Sequence, residues 1–100
     1  MRAQISRRRN IEVAIPDPVV IHNDSPVKGL KLLVGSNLFI FGLDSGDLKV
    51  ADKSTFAVLS TERFEEAPVL KIEQVLQAVL IQYKDLLGSI YVCQLPTLRS

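Results

Sequence analysis

The sequence predicts an α+β domain: an antiparallel meander of about five strands, covered on one face by a single long C-terminal helix and followed by a last strand. Three observations carry that expectation. Residues 30–59 break into short β-rich runs separated by turn-forming triplets and quartets. Residues 67–88, APVLKIEQVLQAVLIQYKDLLG, place apolar side chains at helical spacing between a proline and a glycine. The apolar content of the 100 residues is 47%, far above that of a disordered chain.

The strands follow from their punctuation. Leu30–Val34, Leu38–Leu43, Leu48–Ala51 and Thr55–Leu59 are joined by Gly35-Ser36-Asn37, Asp44-Ser45-Gly46-Asp47 and Asp52-Lys53-Ser54. Connections this short suit antiparallel hairpins, not parallel crossovers. LFIFGL, residues 38–43, is apolar at successive positions, which implies cover on both faces or a central place in the sheet. Gly42 within it suggests a bulge or a close approach by another backbone. Upstream, Ile11–Ile15 and Val19–His22 read as two short extended pieces split by Pro16-Asp17-Pro18. NDSPVKG, residues 23–29, reads as a loop.

The helix expectation covers residues 68–87. Pro68 suits a first helical position, Glu65 and Glu66 suit the positive end, and Gly88 suits a left-handed cap. Val69, Ile72, Val75, Leu76, Val79, Leu80, Tyr83, Leu86 and Leu87 form one stripe broad enough to lie on a sheet. SIYVCQL, residues 89–95, then returns as an internal strand. In domain terms, residues 1–9 are a mobile basic arm, 10–95 a single domain and 96–100 a tail. No internal repeat is visible in the sequence.

On such a helix Leu70, Gln74, Ala78 and Ile81 fall on the side away from the sheet. They form the candidate protein interface, with small Ala78 permitting close approach and full burial of Leu70 or Ile81 contributing about 1.5–3 kcal/mol each. The apolar surplus points the same way, since a domain of this size buries only about 60–65% of its unfolded surface. A homodimer is the expected assembly, because two-fold association is the commonest kind.

Chemistry is sparse. The glycines form neither a dinucleotide nor a phosphate-loop pattern, and VGSN, residues 34–37, reads as a hairpin turn. The single histidine, His22, has Asp17 and Asp24 near it in sequence, without the spacing of a metal site. Cys93 lies mid-strand, where a buried thiol is inert. No catalytic residue, cofactor or metal is therefore expected. Arg7, Arg8 and Arg9 could neutralise phosphates, which makes a nucleic-acid-associated protein the runner-up. Against it, all 11 acidic side chains lie beyond the arm, and Phe39, Phe41 and Tyr91 sit among aliphatics as core. No apolar run reaches the ~20 residues of a membrane helix. One cysteine gives no internal disulfide, so a cytoplasmic setting is expected. The functional expectation is a non-catalytic protein–protein interaction module: a self-associating adaptor, chaperone-like or accessory subunit. A small carrier of an apolar ligand is the third alternative.

Overall fold

A computed structural model describes residues 17–94, and among them the chain is all-β. Seven antiparallel strands form two sheets. The first sheet holds β1 (Val27–Leu32), β2 (Leu38–Leu43), β3 (Asp47–Asp52) and β4 (Val58–Arg63), in that order. The second holds β5 (Val69–Val75), β6 (Ala78–Tyr83) and β7 (Ile90–Gln94). The arm at 1–9, the extended piece Ile11–Ile15 and the tail at 96–100 lie outside the described residues. Val19–His22, expected as a strand, runs as irregular chain, with Ile21 packed on the first sheet.

The α+β expectation is corrected by these strands. Where a helix over 68–87 was expected, β5 and β6 form a hairpin turning at Leu76 and Gln77. The apolar stripe that suggested a helix mixes two strand faces. Val79, Ile81 and Tyr83 point into the core, whereas Ala78, Leu80 and Gln82 alternate with them on the opposite face. Period 2 and period 3.6 overlap over so short a run, and β-branched Val69, Ile72, Val75, Val79 and Ile81 favour the pleated solution once a partner strand is present. The turn itself carries no glycine or asparagine: Leu76 takes a left-handed φ of 54°, a conformation costly for leucine. Gly88 also has positive φ (63°), but it lies in the β6–β7 loop and caps no helix.

The pairing registers reveal a repeat that the sequence conceals. In the first sheet Leu30 pairs Phe41, Phe39 pairs Ala51, and Ile40 pairs Val50. Roughly forty residues later, Ile72 pairs Ile81, Val79 pairs Cys93, and Leu80 pairs Val92. Both opening strands are bulged at the same place, between Val27 and Gly29 and between Val69 and Lys71. The chain is therefore two copies of one meander.

The two meanders stack front to back, chiefly through β1 and β5. Leu33, Ile40, Leu48 and Val50 from the first meet Val69, Ile72, Val79, Ile81, Tyr83 and Cys93 from the second. The approach is close enough that a Cβ on Gly42 would lie 2.6 Å from the Val69 side chain. The expected approach of another backbone at Gly42 is corrected: the group that comes close is the Val69 side chain. Tyr83, fully buried, ties the layers together: its hydroxyl donates to the Gly46 carbonyl at 2.8 Å and accepts the Phe64 N–H at 3.4 Å. Gly46 adopts a φ of 98° with the Glu65 and Ala67 backbone lying against it, so this turn is held by the neighbouring repeat.

Two substitutions test this packing in denaturant titrations. Leu76→Gly should stabilise the protein by about 1 kcal/mol by relieving the left-handed turn, whereas in a helix it would destabilise by about that much. Gly42→Ala should cost about 1–3 kcal/mol through overpacking. Adding Val69→Ala should recover part of that loss, because the two positions share one space.

Candidate interaction surface

Each repeat has two faces. In the first sheet, the face bearing Ile40, Leu48 and Val50 is covered by the second sheet. Position for position, the registers assign Leu80, Ile90 and Val92 to the same face of the second sheet. That face is open: Val75, Ile90 and Val92 are 56%, 55% and 50% exposed. Beside them stand Lys71 and Glu73, which pair with each other at 3.6 Å. Among the described residues, β7 also has no neighbour on its far edge, where the first repeat carries β4. β7 is thus an edge strand here, whereas the sequence predicted an internal one. Apolar side chains on an open face beside a free edge form a surface suited to another sheet.

The outward face of the first sheet is apolar as well. Phe39, Phe41, Leu43 and Ala51 cluster there under Ile21, while Leu30 and Leu32 on β1 remain exposed. Thus both ends of the stack carry apolar groups, one end partly sheltered and the other open.

The interface expected from a helical face is distributed differently by the sheet. Ala78 lies on the open face of the β5–β7 sheet. Leu70 is half-exposed at the β5 bulge. Gln74 spans the sheets, accepting the Val34 N–H at 2.7 Å and donating to the Val34 carbonyl at 2.8 Å. Ile81 is fully buried opposite Ile72. The four residues are not brought together. Arg7, Arg8 and Arg9 lie outside the described residues. The open face built by Leu80, Ile90 and Val92 was missed because those residues gather only through register. The alternation of Ile90 and Val92 around Tyr91 was the one signal available beforehand.

Most ionised and nucleophilic groups have structural work. The Arg63 guanidinium bonds Asp47 at 2.7 Å and holds its carboxyl below the usual range. Asp52 accepts the Ser54 and Thr55 amides at 2.7 and 2.9 Å, which lowers its pKa too. Asp85 accepts the Leu87 and Ser89 amides and orders the β6–β7 loop. The Cys93 thiol is buried in the layer between the sheets, and burial pushes its pKa up. Among the described residues there is no helix long and apolar enough to cross a membrane.

These features define an all-β protein of two stacked antiparallel meanders with an apolar face left open. The comparisons agree on that fold. No protein-family model matches the chain, and no curated protein matches it. It is similar in structure to the computationally designed Ika4 protein, with a TM-score of 0.68 and 21% identity over 81% of this chain and 48% of that one. It is also similar to the computationally designed Ika8 protein, with a TM-score of 0.63 and 22% identity over 74% of this chain and 22% of that one. The chain thus spans about half of the first and about a fifth of the second.

The lowered aspartates set the acid response. A carboxylate whose pKa is depressed by folding stabilises above its unfolded value near 4, and that stabilisation is lost as pH falls through the folded value. Thermal melts should therefore change little between pH 7 and about 5, then drop below about pH 4. Asp52→Asn keeps an acceptor for the turn amides but removes the titration, so it should flatten the acid limb.

Proposed function

We propose that this chain is a non-catalytic protein–protein association module, an adaptor or accessory subunit whose working surface is the open face of the β5–β7 sheet. The observation that carries the reading is the inequality of two equivalent faces. Ile40, Leu48 and Val50 are buried under a neighbouring sheet, whereas their counterparts Leu80, Ile90 and Val92 have no such cover among the described residues. Exposing that face to water forgoes the roughly 25 cal/mol gained per Å² of apolar surface covered. Antiparallel meanders recurring at about forty residues are the unit of β-propellers, in which each sheet is faced by the next. A module of this kind recognises another sheet by shape and apolar fit, with β7 offering main-chain groups at its edge. The structural duties of Asp47, Asp52, Asp85 and Cys93 favour this reading over catalysis. The reduced, buried Cys93 suits a cytoplasmic setting.

The test compares the intact protein with Val92→Lys in affinity capture from the native lysate, followed by mass measurement of the recovered complexes. Val92 is exposed, so the substitution should leave the thermal melt nearly unchanged. Complexes recovered with the parent chain and lost with Val92→Lys are expected. Equal recovery by both, or none by either, would sink the assignment.

A further inference from the structure

We infer that the partner for the open β5–β7 face is a second copy of this chain, docked head to tail so that the internal stack of repeats continues from one molecule into the next. The inference rests on the association reading above and specifies its occupant. Its basis is that the molecule already contains a worked example of the proposed interface. Within one chain, the face of the second repeat bearing Ile72, Val79 and Ile81 sits on the face of the first bearing Ile40, Leu48 and Val50.

The same registers identify what remains at the two ends. The open face of the second repeat is equivalent to the receiving face of the first, because Leu80 and Val92 stand where Ile40 and Val50 stand. The outward face of the first repeat is equivalent to the docking face of the second, because Leu30 stands where Ile72 stands and Phe41 where Ile81 stands. Each molecule therefore carries a socket at one end and the matching plug at the other. Such complementary, unlike patches make heterologous contacts, which close into a ring when the rotation allows. The alternative of two sockets meeting about a two-fold axis would leave the exposed Leu30 and Leu32 of both plugs uncovered.

The exposed part of the plug is the part the internal interface uses most. The two repeats touch principally through β1 and β5. On the outward face Ile21 shelters Phe39 and Phe41 of β2, while Leu30 and Leu32 of β1 remain 63% and 60% exposed. A second copy would present the exposed Leu30 and Leu32 of its β1 to the open face of β5. The continued contact differs from the internal one at a known point. Gly42, which admits Val69 closely, is replaced in the second repeat by Gln82, so the incoming Val27 must sit farther out there. Lys71 and Glu73 replace Gly29 and Lys31, which makes the rim near β5 more polar than its internal counterpart.

Light scattering on the purified intact chain at micromolar concentration reads the assembly directly. The expected mass is a whole multiple of 11.1 kDa, falling to the single-chain value in both Val92→Lys and Leu30→Lys. Geometry is read by crosslinking. A Cβ on Gly29 lies 3.8 Å from the Ile72 side chain, so the equivalent intermolecular pair is Lys71 with Leu30. Lys71→Cys mixed with Leu30→Cys should form a disulfide dimer on oxidation, and neither variant alone should. Buried Cys93 stays silent in both. A wild-type chain that remains at 11.1 kDa overturns the inference, as does Lys71→Cys crosslinking to itself. A monomer that nonetheless captures another protein through Val92 would overturn the second copy while leaving the association reading intact.

Discussion

The structure depends on one layer of side chains, the contact in which the second meander lies on the first. Val69, Ile72, Val79, Ile81 and Tyr83 are buried only because Leu33, Ile40, Leu48 and Val50 face them. A single meander has no interior of its own: each face has to be covered, by the second sheet on one side of the first and in part by Ile21 on the other. This explains why the tight turn at Gly46 is gripped by the Glu65–Ala67 backbone, and why Tyr83 reaches back to the Gly46 carbonyl. Each repeat supplies part of the framework that holds the other.

The same constraint connects fold to function. A stack of alike layers has a problem at each end, because the groups that bury a neighbour in the middle remain uncovered at the terminus. Here the ends are treated unequally. Ile21 shelters part of one, over Phe39 and Phe41, while the other presents Val75, Ile90 and Val92 openly. The association proposed above draws on that asymmetry and requires no dedicated pocket, since its recognition element would be a sheet face. Charge has a smaller part in it. The Arg63–Asp47 bond and the Asp52 turn serve the local geometry of β3, and the Lys71–Glu73 pair borders the open face.

Local signals in the sequence give the number and order of strands in the first repeat but not their bounds: β1 begins at Val27, inside the expected loop 23–29, and β4 is Val58–Arg63 where Thr55–Leu59 was expected. The turn signals Gly35-Ser36-Asn37, Asp44-Ser45-Gly46-Asp47 and Asp52-Lys53-Ser54 are local, since Gly, Asn, Asp and Ser set turn geometry through their own backbone preferences, although the third turn runs on through Ala57. Cover over LFIFGL and a buried Cys93 were legible from their apolar surroundings, whereas at Gly42 it is the Val69 side chain, not the expected backbone, that comes close. The second repeat is settled by packing between the sheets. Residues 69–83 have apolar spacing that satisfies a helix and a hairpin alike, and Leu76-Gln77 offers no turn signal to choose between them. Pairing with β7 and the waiting face of β1 and β2 supply the energy that settles the matter, and that energy is nonlocal. The repeat is hidden in the sequence because it is kept in strand register, not in residue identity. Ile40 answers to Leu80 and Gly42 to Gln82, equivalences that exist only once the strands are paired.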